Sequence, residues 1–489
     1  MSLVNIIIDG VSLRADAQST ILDAAQQAGI HIPSLCHHPD YSVRAVSRVC
    51  MVESNGKPVP ACATTVSEGM SVKTKGARIE GLRKTSLELI LSHHPMECQH
   101  CARNGVSEVA DLSDEMCGYC RFCDCVKDGV CELQELAKEM NVTFGDFTWT
   151  ERREAADEST PSIIKDPNKC ILCRRCVDAC GKQQGIHAWS IAGRGEEARI
   201  EPAFGMALSQ SNCVQCGQCV RDCPTGALSP KQQADDLFVI TDNKDTTVIA
   251  WLHPNFLPEF SKLGEYGELD ITEQHIVAGL HRVGIDIVWQ GADIALTALR
   301  DVMGELESSK EDTRTLVGYS DYAAKTLSAR LAPEGRLSRS LSAQQQFGRL
   351  AKGAWAKSNQ KDPGRIYAIA LTASLSGKAE AECNDSCGVD LALTPIEVRR
   401  LFYRRGADLS LLAPEAFDLE TKAASLPALQ PKERGVTELT RNGDGKIAVA
   451  QGLEHAQKLL DEVNEGTSEY DLIYLSALPG EGIDIRAVM

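Results

Sequence analysis

The spacing of apolar positions changes character along this chain. Near the N-terminus, "VNIIIDGVSLRAD" alternates on either side of Asp9-Gly10, a pair suited to a tight hairpin turn, and predicts two short strands. The stretch "STILDAAQQAG" then takes a helical period. Ser19 or Thr20 can cap it, Ile21, Leu22, Ala25 and Ala28 make its apolar face, and Gly29 stops it. Strand, strand, helix and then cysteine-bearing loops is a β-grasp order. Beyond about residue 236 the rhythm is different. "TTVIAWL", "DIVW", "IYAIAL" and "YDLIYLSA" read as buried strands. "TEQHIVAGLHRVG", "TPIEVRRLFYRRG" and "LEHAQKLLDEV" read as amphipathic helices, so this half is α/β.

Between these two regions, cysteine replaces apolar periodicity as the main signal. The 489 residues include 20 cysteines, of which all but Cys383 and Cys387 precede residue 224. The N-terminus lacks a signal-peptide pattern, and no run of apolar residues is long enough to span a bilayer. The expectation is therefore a cytoplasmic protein with no membrane contact. In a reducing compartment clustered thiols serve metals or redox chemistry rather than disulfides. Buried free thiols could explain isolated cysteines but not repeated Cys-x2-Cys spacing. A net charge of −17 argues against nucleic acid as a partner, because phosphate binding draws on clustered Lys and Arg. Length points to several domains rather than one core.

The most specific pattern is "CILCRRCVDAC" followed by "CVQCGQCVRDCP". Three thiolates at two-residue spacing wrap one iron–sulfur cube, and the fourth cysteine of each run reaches the other cube. One [4Fe–4S] cluster is therefore assigned to Cys170, Cys173, Cys176 and Cys223. The second takes Cys213, Cys216, Cys219 and Cys180. Four thiolates also suit zinc, but zinc motifs do not run three such steps and a remote fourth twice over. Gly181 stands where proline is usual, a minor departure. Paired cubanes move single electrons.

The N-terminal segment "TILDAAQQAGIHIPSLCHHPD…RVCMVE…VPACATTVSEGM" resembles the domain shared by iron-only hydrogenases and the complex I large iron–sulfur subunit. In that family four cysteines hold a [2Fe–2S] cluster. Here Cys36, Cys50 and Cys62 match, and Ser47 replaces the remaining thiol in a loop that reads one residue short. Two outcomes stay open: loss of the cluster with the β-grasp kept as scaffold, or retention with Ser47 as an alkoxide ligand. The hard, high-pKa oxygen tips the balance slightly toward loss.

The next module of the family binds a [4Fe–4S] cluster through one histidine and three cysteines. His94, Cys98 and Cys101 fit this frame, Ser107 stands at the next position, and "CELQELA" appears only at Cys131. An insert therefore precedes the last ligand, and residues 116–131 hold five cysteines. The resemblance implies one set of His94, Cys98, Cys101 and Cys131. The insert keeps Cys117, Cys120, Cys123 and Cys125 as an additional [4Fe–4S] set, with a zinc knuckle or free thiols as alternatives. Cys125 and Cys131 can exchange roles, because a Cys-x-Cys fourth ligand is cramped.

"ITEQHIVAGLHRVGID", "SAQQQFGRLAKGAWA", "DLALTPIEVRRLF" and "KIAVAQGLEHAQKLLDEV" resemble, in order, the catalytic domain of iron-only hydrogenases. Its H-cluster ligands do not follow. The first motif falls near Tyr319, the second at Ser374, and the third appears as "LPGEG", Leu478 to Gly482, without thiols. The expectation is a domain with no H-cluster and no hydrogen chemistry. Cys383 and Cys387 lie outside the family frame and read as free thiols.

The fold class expected is α+β and multidomain. A β-grasp [2Fe–2S] ferredoxin-like domain spans 1–78, and a small helical His/Cys cluster domain with its insert spans 79–153. A 2×[4Fe–4S] ferredoxin-like domain follows at 154–235, and an α/β iron-hydrogenase-like domain at 236–489. The whole resembles the hydrogenase-like subunit of Sporomusa-type electron-bifurcating transhydrogenases. That resemblance implies a hetero-oligomer with an FMN and iron–sulfur flavoprotein that oxidises NAD(P)H, a thioredoxin-like [2Fe–2S] subunit, and ferredoxin. FMN and NAD(P) would sit on partners, since no G-x-G-x-x-G follows a strand here. An electron adaptor for a formate dehydrogenase, or a scaffold with vestigial clusters, are the alternative readings.

Overall fold

The computed structural model describes residues 2–95, 125–127, 130–142, 147, 154–263, 270–308, 315–383, 388–419, 435–440 and 445–477. The expectations for Cys98, Cys101, Ser107, Cys117, Cys120, Cys123, Cys387 and Leu478–Gly482 lie outside the described residues.

The hairpin expected at Asp9-Gly10 joins β1 (Leu3–Ile8) to β2 (Val11–Asp16). With β3 (Met51–Ser54), β4 (Lys57–Pro60) and β5 (Met70–Lys73), they form a sheet in the order β2-β1-β5-β3-β4. Only the β1–β5 pair is parallel. Helix α1 (Ile21–Gln27) packs on it. Thr20 is the cap: its hydroxyl accepts from the Asp23 amide at 3.2 Å, and the Thr20 amide donates to the Asp23 carboxylate at 2.9 Å. Ile21, Leu22, Ala24 and Ala25 are buried. The expected face is corrected at its end. Ala28 is exposed, because the helix stops at Gln27 and Gly29, at φ 71°, turns the chain away.

Helix α2 (Ala77–Leu91) leads from β5 towards His94, and α3 (Glu132–Glu139) starts at Cys131. Leu87 and Leu91 of α2 meet Leu133 and Leu136 of α3 and Leu35 and Val49 of the β-grasp loops in one small core.

The ferredoxin-like unit pairs β6 (Ile163–Lys165) with β9 (Leu228–Pro230) and β7 (Ser190–Ala192) with β8 (Arg199–Glu201). Each cysteine loop runs into a one-turn helix, α4 (Arg175–Asp178) or α5 (Gln218–Arg221).

The α/β half contains β10 (Thr247–Leu252), β11 (Ile287–Gln290), β12 (Leu316–Tyr319), β13 (Ile366–Leu371), β14 (Leu391–Leu393), β15 (Gly435–Thr440), β16 (Lys446–Gln451) and β17 (Leu472–Ser476). They form two sheets. One, all parallel, has the order β11-β10-β13-β14 and an apolar core on each face, as a parallel sheet requires. The other has the order β12-β17-β16-β15, antiparallel only at β15. Its core is continuous with that of the ferredoxin-like unit. Trp189, Leu208 and Leu228 pack in the same cluster as Val317, Leu327, Leu460 and Leu475. The buried Gln184 amide reinforces this seam, donating to the Ala477 carbonyl and accepting from the Leu453 amide.

Candidate metal centres

The two ferredoxin-like loops have the same backbone. In the first, Leu172 and Arg174 take φ values of 55° and 68°; in the second, Gln215 and Gly217 take 59° and 83°. Alternating right- and left-handed residues turn successive N–H groups inward, which favours an anionic occupant. The Gln215 amide donates to Cys213 Sγ at 3.3 Å, and the Ala188 amide to Cys180 Sγ at 3.1 Å. The eight thiols fall into two groups. Cys176 interacts with Cys173, Cys170 and Cys223, and Cys219 with Cys216, Cys213 and Cys180.

Burial drives the Cys176 and Cys219 thiols well above their ordinary range, and the neighbouring sulfurs add to the push. Cys173 is raised to about 12 and Cys213 to about 11, again chiefly by burial. Such groups stay protonated unless a cation replaces the protons. A set of soft sulfurs, half of them buried and the rest half-buried, with N–H donors aimed at two of them therefore fits an iron–sulfur cube. Among the described residues, no three His, Cys, Asp or Glu side chains converge tightly enough to grip one bare ion. Thiols set around a cube stand further apart than that.

The N-terminal site is equally well gathered. Cys36, Cys50, Cys62 and Ser47 are all buried. Ser47 Oγ donates to Cys36 Sγ at 3.3 Å, and the Ser47 amide approaches the same sulfur at 3.5 Å. Cys50 Sγ lies 3.4 Å from Cys62 Sγ. Hydrogen bonding with Cys62 lowers Cys36 to about 5 and Cys50 to about 7, while the Cys62 pKa rises far up. Ala45 and Arg48 bracket Ser47 in left-handed conformations, at φ 51° and 58°. The loop docks on the ferredoxin-like unit through Arg44 and Asp178, 2.6 Å apart, and through Tyr41, whose hydroxyl donates to Gln183 at 3.0 Å and contacts Asp222. Packing thus holds Ser47 against Cys36.

Beside α2, burial lowers the His94 imidazole to about 4 and keeps it neutral. Nδ1 stands 2.7 Å from the Pro95 carbonyl, which can only accept, so Nδ1 carries the hydrogen. Nε2 is buried, a lone pair with no partner among the described residues. That is the state of a metal-binding imidazole oriented by its other nitrogen. Cys131 is buried, raised to about 12 by that burial, and its thiol donates to the Pro224 carbonyl at 3.5 Å. Cys125 interacts with Cys131. Its sulfur also rests on Gly226, only 2.7 Å from where a Cβ would stand. The structure thus brings the insert's last cysteine to Cys131 and to the turn after Cys223.

In the α/β half, Ser374 lines a cavity of about 40 Å³ and Tyr319 an adjoining one of about 20 Å³. That is room for a few waters. Tyr319 donates to the Ser340 carbonyl at 2.8 Å, and Ser374 pairs with Ser376 at 2.8 Å. Two carboxyls absent from the sequence expectations lie here. Burial raises Glu380 to about 7, and Ser342 donates to it at 2.8 Å. Asp321, also raised by burial, caps the helix Tyr322–Leu331 and accepts from the Ala477 amide. The Cys383 sulfur lies 2.9 Å from the Tyr322 hydroxyl.

Comparison with known proteins follows the same order along the chain. Residues 2–77 match a 2Fe-2S iron-sulfur cluster binding domain, 148–227 a 4Fe-4S dicluster domain, and 246–442 the C-terminal domain of the iron only hydrogenase large subunit. The HndD subunit of an NADP-reducing hydrogenase from Solidesulfovibrio fructosivorans is 30% identical over 454 residues, which cover 87% of this chain and 72% of that one. The chain belongs to the iron-only hydrogenase large-subunit family.

Similarity to other proteins extends over about half of this chain. The alpha subunit of an NADPH-Fe(3+) oxidoreductase from Geobacter sulfurreducens is 32% identical over 231 residues, 47% of this chain and only 24% of that one. A crystal structure of NAD+-reducing [NiFe]-hydrogenase aligns at 29% identity over 47% of this chain and 87% of that one, with a TM-score of 0.40. Among the described residues, no helix is long and apolar enough to cross a membrane.

Proposed function

We propose that this hydrogenase-family chain is an iron–sulfur electron-transfer subunit of an NAD(P)-linked oxidoreductase complex and carries no H-cluster. The observation that carries this reading is the gathering of eight cysteines into two groups, Cys170/Cys173/Cys176/Cys223 and Cys180/Cys213/Cys216/Cys219. When bound, [4Fe–4S] clusters there would accept and release one electron at a time. The chain's own part is to bury the thiolates, orient N–H donors on them and exclude water. His94 with Cys131, and Cys98 and Cys101 beyond the described residues, would hold a third cluster. An additional set would come from Cys117, Cys120, Cys123 and Cys125. Cys36, Cys50, Cys62 and Ser47 would hold a [2Fe–2S] cluster, supported by the matched domain and by the shared burial of all four side chains.

Loss of the H-cluster is supported by Tyr319 and Ser374, which put no sulfur into the small cavities they line. The finer reading is a bifurcating NADH/NADP/ferredoxin transhydrogenase. Its FMN and nucleotide chemistry would lie on a partner flavoprotein, beside a thioredoxin-like [2Fe–2S] subunit. The similarity to HndD over most of the chain supports this more than the formate dehydrogenase alternative.

Iron content with low-temperature EPR tests the proposal. The ferredoxin pair should contribute roughly 8 irons, the His94 site roughly 4 more, the additional set roughly 4 and the N-terminal site roughly 2. Reduction by NAD(P)H should require the flavoprotein. Hydrogen evolution from reduced viologen, or iron-free thiols throughout, would overturn it.

A further inference from the structure

One side chain, itself next to a ligand cysteine, touches the immediate neighbours of ligand cysteines in two other sites. Arg175 precedes Cys176 in the first ferredoxin-like loop. Its Nη2 donates to the carbonyls of Leu35 and His37, which flank Cys36, at 2.7 and 2.8 Å. Nη1 and Nη2 also form a forked pair with the carboxylate of Glu132, the residue after Cys131, at 2.6 and 2.8 Å. The guanidinium is buried, permanently charged, and rigid enough to fix all of these partners at once. Other contacts also dock the β-grasp unit, namely Arg44 with Asp178, Tyr41 with Gln183, and His31 with Glu139. Arg175 differs from these in joining the segments that carry Cys36 and Cys131 to its own cysteine loop through one group.

We propose that Arg175 is a positioning residue that sets the relative placement and the potentials of the N-terminal, His94/Cys131 and first ferredoxin-like sites. The inference rests on the reading of these sites as clusters. Each backbone carbonyl it draws in orients the peptide that carries Cys36. Its charge stabilises the reduced, more negative form of any cluster beside it and so raises that cluster's potential. Glu132 opposes this effect, so the pair tunes the potentials as well as aligning the sites.

The test is an EPR-monitored redox titration of the full iron-loaded chain. Arg175→Met should move the midpoint potentials of the N-terminal and His94-site signals downward. A tenfold change in electron occupancy corresponds to about 59 mV for a one-electron couple. The cluster of Cys180, Cys213, Cys216 and Cys219 is the internal reference and should not move. Arg175→Lys keeps the charge without the fork and should recover most of the shift. Glu132→Gln removes the opposing charge and should shift the same signals upward. If Arg175→Met fails to load iron, Glu132→Gln decides alone, and no upward shift overturns the proposal. Wild-type signals that no variant moves overturn it as well, leaving the cluster reading intact. A wild-type chain without the N-terminal and His94-site signals overturns both.

Discussion

The hydroxyl of Ser47 lies 3.3 Å from the sulfur of Cys36 and donates to it, in a buried group completed by Cys50 and Cys62. Three thiols and one oxygen thus share one buried group. Ser47→Cys should retain the roughly 2 irons of a [2Fe–2S] site and raise its midpoint potential, because thiolate is a softer and less basic ligand than alkoxide. Ser47→Ala should lose that signal while leaving the [4Fe–4S] signals in place. An unchanged spectrum in both variants would remove Ser47 from the ligand set.

Gly217 turns the second ferredoxin-like loop at φ 83° against Leu375, the neighbour of Ser374. A Cβ there would stand 2.6 Å from Leu375 Cδ1 and 2.9 Å from Leu375 Cβ. Gly217→Ala should destabilise the chain by about 2–4 kcal/mol, from overpacking and left-handed strain together. Thermal unfolding reads the effect. Adding Leu375→Ala should restore only part of the loss, because the contact with Cβ remains. A fully stable Gly217→Ala would show that the loop and the α/β half are not held in contact.

How much of this was legible in the sequence depended on how local each determinant is. The two cysteine quartets are read from spacing within two short runs, and Cys176 and Cys219 each interact with the other three thiols of their group. Ser47 was visible as a departure, but whether it stays at the site depends on packing among segments that start at Cys36, Met51 and Ala61. The two sheets of the α/β half were not separable, because β10, β13, β16 and β17 are all continuous apolar runs with no mark of which pairs with which. Arg175 has no local sequence feature beyond the basic doublet it forms with Arg174. Its partners include backbone carbonyls 140 and 138 positions away, and carbonyls carry no sequence signature. Glu380 reads as a surface residue of a polar helix, yet it is buried against Ser342.

His94 presents an unpartnered Nε2 inside the protein while Nδ1 is committed to the Pro95 carbonyl. Leaving a buried ring nitrogen unsatisfied costs about 1–3 kcal/mol, which ligation would offset. His94→Leu removes that nitrogen at similar volume. It should lower iron content by roughly 4 atoms per chain and abolish one EPR signal, with the ferredoxin pair unaffected. Full iron content in this variant would exclude His94 as a ligand.

At the edge of the first parallel sheet, His281 joins two carboxylates, with Nδ1 2.6 Å from Glu415 and Nε2 2.9 Å from Asp418. Asp418 also accepts from the Val288 amide in β11 at 2.7 Å, so the imidazolium ties the segment 415–418 to that strand. Burial opposes the charge, but the hydrogen bonds and charges of the two acids outweigh it, and the pKa is raised above the ordinary histidine value. The unfolded chain binds this proton more weakly than the folded one. The stabilisation is therefore complete below the unfolded value of about 6.5 and is lost as pH rises through the folded one. Wild type should lose more melting temperature than His281→Gln between about pH 6 and about pH 8.5, and the difference should shrink in high salt because the group is partly exposed. A wild-type chain that instead gained stability over this interval relative to His281→Gln would reverse the sign and exclude the charged bridge.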